Sequence, residues 1–264
     1  ITPGYGLWTA GIGFQLGAER LGAMTIPMGP GNTDKQLKMM TDLKSTVLCA
    51  TSSYALLLAE EIARREIKDK IYLKKGIIGS ERWGTKMRNR IADELGVELY
   101  DIYGLTEVYG PGIAINCQKQ SAMHYWDDYI YLEIVDPKTG EVLPDGEIGE
   151  ICITTLRKQG APLIRYRTHD LSRIVTGDCP CGSKYPRIDT LIGRTDDMVK
   201  VKGCNIFPSQ IDDLLSKIDG ASSEYQVMVD HIFGKDVLTL FVEVQQGVFK
   251  EYLSHVIEEE FKHK

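Results

Sequence analysis

The stretch 99-LYDIYGLTE-107 decides how the rest of the chain is read, above all its last five residues, Tyr103-Gly104-Leu105-Thr106-Glu107. An amphipathic pattern over 85–95 stops at Gly96, and the apolar run 97–103 then reads as a buried strand. A strand that runs into a glycine turn delivers the next side chains to the carboxyl edge of a sheet, where open α/β folds bind ligands. The turn's contents suit a nucleotide. Tyr103 offers a ring face for a base, and Gly104 allows close backbone approach. Thr106 supplies a hydroxyl for a phosphate oxygen and Glu107 a hard carboxylate for Mg²⁺. Five residues alone are equally a strand, a turn and one surface acid, so the flanking sequence has to decide.

At 264 residues the chain can bury a sizeable core, and 43% hydrophobic with 26% charged residues fits a globular protein. A formal charge of −6 with scattered Lys and Arg excludes a general nucleic-acid binder. No apolar run has the length of a membrane span, and no stretch reads as a signal peptide. Six cysteines in a chain of this size need no disulfide framework, so a reducing cytoplasm is expected.

Before the motif, strands and helices alternate. A glycine-rich helix around Gly17 is followed by strand 24–28, a Gly/Pro turn at 29–32, and a helix capped by Thr33. Strand 46–50 and a helix over 54–65, capped by Ser52 or Ser53, come next, and strand 76–78 leads into Gly79-Ser80-Glu81. That order predicts a parallel sheet with helices on both faces. After Glu107 come short strands without helices (129–135, 147–155, 163–167, 171–175), which describe a small antiparallel β unit. The remainder, β-α-β-β-α over about seventy residues, suits a small α+β domain. The expected division is 1–125, 126–195 and 196–264, and both ends read as those of a fragment.

Three further motifs join YGLTE: Gly79-Ser80-Glu81, Tyr166-Arg167-Thr168-His169-Asp170, and the run from Gly193 to Gly203. Taken in this order and spacing, the chain resembles the adenylate-forming superfamily of acyl- and aryl-CoA synthetases. Residues 5–9, GAERLGA at 17–23, TSSYALLLAE at 51–60 and GCNIFPSQID at 203–212 make it most similar to the phenylacetate–CoA ligase family within that superfamily. The resemblance implies an α/β adenylate-forming fold with a mobile C-terminal lid. It also implies a ligase that activates an aryl acid, phenylacetate foremost, with ATP and Mg²⁺ and transfers it to coenzyme A.

The resemblance assigns roles by position. Tyr103 would stack on adenine against the backbone of Gly79, Ser80 and Glu81, with Gly104 beside them. Thr106 would meet the α-phosphate, Glu107 the Mg²⁺, and Asp170 the ribose hydroxyls. Arg194 would reach ribose or phosphate, and Asp196 would be the hinge of the lid. Lys200 and Gly203 would serve thioester formation, and Tyr5, Gly6 and Leu7 would enclose the acid. Its partners would be small molecules (aryl acid, ATP, CoA) rather than nucleic acid or membrane, with a homodimer compatible.

Two departures limit what the chain should do alone. The superfamily's phosphate loop would precede Ile1 and its adenylating lysine would follow Lys264, so adenosine and ribose should be held but adenylation should be poor. A non-catalytic adenylate-binding fragment, and an enzyme that loads a carrier-protein thiol, therefore stay open. The knuckle Cys179-Pro180-Cys181, with Cys117 and His124, makes a Cys₃His set of the structural zinc type, and relatives of the family share that pattern. The plainer alternative is a turn and a buried small cysteine. His169 stands where relatives often carry glycine and is expected beside the site rather than as a base.

Overall fold

The structure, a computed structural model, describes residues 1–81, 83–119, 122–197, 199–201, 204–206, 208–232, 235–244 and 250–262. Its contacts divide the chain into two compact units, Ile1–Arg82 with Arg88–Leu191, and Trp83–Met87 with Ile192–Lys264.

The first unit begins with α1 (Ala10–Arg20), α2 (Thr33–Asp42), β1 (Val47–Thr51), α3 (Ser52–Arg64), β2 (Lys75–Gly79), α4 (Thr85–Leu95, entered from the other unit) and β3 (Glu98–Leu105). β1, β2 and β3 pair in parallel, as alternating strands and helices require. The sheet then changes direction. β4 (Gly110–Asn116), β5 (Met123–Tyr125), β9 (Ile174–Val175) and β10 (Arg187–Ile188) extend it antiparallel, giving the order β1-β2-β3-β4-β5-β10-β9 among the described residues. The expected parallel core is therefore three strands of a mixed sheet. A second, antiparallel set is formed by β6 (Ile130–Val135), β7 (Gly149–Thr155) and β8 (Tyr166–Ser172).

The two sets share one apolar core. Tyr103, Ile113 and Met123 of the first meet Leu132, Ile134, Ile151 and Ile153 of the second, all nearly closed to solvent. Each such aliphatic burial stabilises by roughly 1.5–3 kcal/mol, which locks the two sheets face to face. The chain crosses between them, so β9 and β10 return to the sheet of β3.

Several local expectations change. Residues 24–28 form no ladder; their backbone makes isolated bonds to the Ile1 segment, Ile1 N donating to Ile26 O at 3.0 Å. Thr33 is the first helical residue rather than the cap, because Asn32 takes the left-handed cap conformation at φ 50°. Residues 163–175 hold one main strand, β8, instead of two.

The second unit contains β11 (Gly193–Arg194), β12 (Val199–Val201), β13 (Cys204–Ile206), α5 (Pro208–Leu215), β14 (Ala221–Ile232), β15 (Lys235–Val244) and α6 (Lys250–Lys262). β12 with β13 and β14 with β15 form antiparallel hairpins. Ile211, Leu214, Leu215 and Leu253 make a small separate core between α5 and α6.

Candidate nucleotide site and cysteine–histidine cluster

β3 continues through Leu105, and the chain reverses at Thr106-Glu107, with Val108 N donating to Leu105 O at 3.0 Å. Gly104 is dictated by this reversal. A Cβ there would meet the backbone of Gly110 and Pro111 at 2.5 Å, so only glycine lets β4 return this close. Thr106 and Glu107 are exposed at the tip. The Glu107 carboxylate accepts from the Tyr166 hydroxyl at 3.3 Å, and its main-chain oxygen accepts from Lys158 Nζ.

Tyr103 is buried in the shared core, 4% exposed, and its hydroxyl donates to Asp170 Oδ2 at 2.8 Å. Residues 67 positions apart are thus joined at one place, where β3 and β8 face each other. Asp170 is itself 5% exposed.

Asp170 sits on a bulge. Between β7 and β8, Cys152 pairs with Arg167 and Glu150 with Leu171. One residue, Ile151, therefore faces three, Thr168, His169 and Asp170. His169 takes the left-handed conformation at φ 66°, which accounts for glycine being suited to this position. Across the bulge lies Glu150, with 0% of its side chain exposed. Its carboxylate accepts from Arg167 Nη2 and, at 3.1 Å, from the His169 backbone N–H.

At the end of β2, a Cβ on Gly79 would collide with the Ile102 main-chain oxygen, so glycine is required for β2 and β3 to lie together there. Ser80 has φ 70°. The Glu81 side chain has partners of its own. Its carboxylate accepts from Ser52 Oγ at 3.0 Å and from Ser53 N and Oγ at 2.8 Å each, and so caps the exposed amides of α3. The cap expected from Ser52 or Ser53 is thus supplied from another loop.

The residues expected to enclose the acid differ in burial. The Tyr5 ring packs on Gly11, and its hydroxyl is buried without a hydrogen-bond partner among the described residues, as is Thr9 Oγ1. Leu7 is 98% exposed. In the second unit Arg194 and Asp196 form a two-pronged ion pair, Nε–Oδ1 at 2.8 Å and Nη2–Oδ2 at 2.7 Å. Lys200 lies on β12 opposite Asn205. Gly203 lies outside the described residues.

Cys117, His124, Cys179 and Cys181 converge, their ligand atoms all within 4.8 Å of one another. Cys117 Sγ lies 3.6 Å from Cys179 Sγ, and Cys181 Sγ 3.4 Å from His124 Nε2. His124 Nδ1 is 2.8 Å from the Tyr185 carbonyl oxygen, a contact that leaves Nε2 to face the sulfurs. The Lys119 and Ser183 amides each donate to a sulfur at 3.4 Å. The Cys179 thiol is pulled down to about 6, first by the Cys181 backbone N–H and then by hydrogen bonds from its neighbours. Three sulfurs and one imidazole are the donor set of a tetrahedral structural Zn²⁺.

A family model described as AMP-binding enzyme matches residues 7–156, and one described as AMP-binding enzyme C-terminal domain matches residues 203–264. This chain belongs to the AMP-binding enzyme family. Among its curated relatives, phenylacetate-coenzyme A ligase of Pseudomonas putida is 41% identical over 93% of this chain and 56% of its own length. The ligase of the same name from Escherichia coli K12 is 42% identical over 94% and 56%. The chain thus spans little more than half of the relatives it matches. Among solved structures, 2-hydroxyisobutyryl-CoA ligase in a postadenylation state superposes with a TM-score of 0.88, at 28% identity, over 99% of this chain and 59% of that one.

The sequence gives no role to Glu150, Lys158 or Tyr166, because each meets a partner far along the chain. Glu150 leaves a trace, a carboxylate directly before the apolar run Ile151-Cys152-Ile153. None of the described helices is long and apolar enough to cross a membrane.

Proposed function

We propose that this chain forms the nucleotide-gripping core and part of the lid of an AMP-forming ligase that activates phenylacetate with ATP and passes it to coenzyme A. The observation that carries this reading is the Tyr103–Asp170 hydrogen bond, which unites two separated motifs beside the Thr106-Glu107 turn. The names of the curated relatives support the acid and the acceptor.

In this reading the reaction dictates the residue types. Attack of a carboxylate on the α-phosphate brings two anions together, so charge must be neutralised where it develops. Glu107 would hold the Mg²⁺ that does so, and Thr106 would donate to a phosphate oxygen. Asp170 would accept from both ribose hydroxyls, and Tyr103 would back the adenine with the Gly79–Glu81 loop. Arg194 would reach the phosphate side, Asp196 would act as the hinge, and Lys200 and Gly203 would attend the thioester step. The orphaned hydroxyls of Tyr5 and Thr9 favour a polar group of the acid beside them. Cys117, His124, Cys179 and Cys181 would hold a structural zinc that ties the β4–β5 hairpin to the segment before β10.

Calorimetric titration tests the reading. A hydrolysis-resistant phenylacetyl-adenylate should bind this chain, and Asp170→Asn should weaken it roughly tenfold, as losing a charge-assisted hydrogen bond predicts. Absence of binding by both phenylacetyl-adenylate and AMP would overturn it.

A further inference from the structure

We propose that Glu150 is a positioning residue for nucleotide binding: it staples the Thr168–Asp170 bulge and thereby aims Asp170 at the ribose. The inference rests on the reading of Asp170 as the ribose acceptor.

A bulge with a surplus of two residues has lost its ladder bonds and needs other partners to keep one shape. Here side chains supply them, although Arg167 Nε is buried without a partner among the described residues. Arg167, at its start, gives its guanidinium to Glu150 and also donates to Pro137 O at 2.8 Å. His169, at its middle, gives its backbone N–H to the other Glu150 oxygen. Thr168 donates its hydroxyl to Ile151 O at 2.9 Å, and the Thr168 hydroxyl oxygen in turn accepts the Asp170 N–H at 3.1 Å. Glu150 therefore ties the residue that opens the bulge, Arg167, to the bulge's middle residue, His169, one oxygen to each. The carboxylate of Asp170 emerges one residue later, toward Tyr103.

A buried carboxylate is a poor choice for stability, since an apolar side chain of similar volume serves a sheet core equally well or better. What the carboxylate adds is direction. It fixes where Arg167 and the His169 amide lie, and so the left-handed turn at His169 that swings Asp170 off the regular side of β8. An apolar residue at position 150 would leave both donors to find their own geometry.

The test compares two ligands. AMP and 2′,3′-dideoxy-AMP differ only in the hydroxyls that Asp170 accepts, so the ratio of their dissociation constants reads aim rather than folding. The wild-type chain should favour AMP by roughly tenfold or more. Glu150→Gln, which releases Arg167, should bring the ratio close to one while leaving dideoxy-AMP affinity within about twofold. Glu150→Asp keeps the charge but withdraws it from His169, and should give an intermediate ratio. An undiminished ratio in whichever variant folds overturns the positioning role while leaving the Asp170 reading intact. Failure of both to fold makes Glu150 a stability residue and overturns the role too. A wild-type chain indifferent to the hydroxyls overturns the Asp170 reading, and this inference with it.

Discussion

His169 shows how one residue can carry a cost that its neighbours make tolerable. A left-handed backbone costs an ordinary L residue roughly 1–2 kcal/mol, and His169 holds it with its amide bound to Glu150. His169→Gly relieves that strain but gives back a comparable unfolded-state entropy, so its stability should stay within about 1 kcal/mol of the parent. His169→Val, β-branched and poorly suited to positive φ, should lose roughly 1–2 kcal/mol. Urea unfolding of the two variants checks this, and an unharmed valine variant would mean that the bulge can adopt another backbone. At this scale the sequence was informative about identities and silent about partnerships. Asp170 is legible as an acid at a strand end and Tyr103 as an aromatic before a glycine. Their hydrogen bond was not legible, because 67 residues separate them and nothing local encodes a meeting.

Among the elements, the β3–β4 reversal depends on backbones that pass too closely for any side chain. Gly104→Ala would drive a methyl group into the Gly110–Pro111 backbone and should destabilise by about 3 kcal/mol, near the top of the range for overpacking. Gly17→Ala, in α1 with nothing near it, should instead be neutral or gain up to about 1 kcal/mol. Chemical denaturation of the pair separates a close approach from a general dislike of extra atoms. The parallel trio β1–β3 could be read from sequence because helices of regular period separate its strands. β4 and β5 could not. Gly110-Pro111-Gly112 carries turn signals although it lies within a strand, and Met123–Tyr125 is only three residues long. The apolar run at 24–28 was misread for the opposite reason, having the composition of a strand but no ladder partner. The gap expected between strands 163–167 and 171–175 falls on the three bulged residues, so the break in pattern was real while its meaning was hidden.

For the molecule as a whole, the motif order carried the family assignment, and the sheet shows why widely spaced motifs belong together. β3 and β8 lie in different sheets that share one core, so Tyr103 and Asp170 become neighbours only once both sheets have formed. The cysteine–histidine cluster works over similar distances, since Cys117 and Cys179 are 62 residues apart. If it holds zinc as proposed, stripping the metal with a chelator should lower the thermal midpoint measured by calorimetry, because three bound thiolates contribute to folding. It should also alter reactivity. Metal-bound sulfur is shielded from electrophiles, whereas Cys49 and Cys152 are silent through burial, at 7% and 1% exposure. A colorimetric thiol titration of the native protein should therefore rise by about two equivalents, from the half-buried Cys117 and Cys181, when chelator is added, Cys179 being itself as buried as Cys49. An unchanged titre would mean that no ion had been protecting them, which makes the cluster its own occupancy gauge.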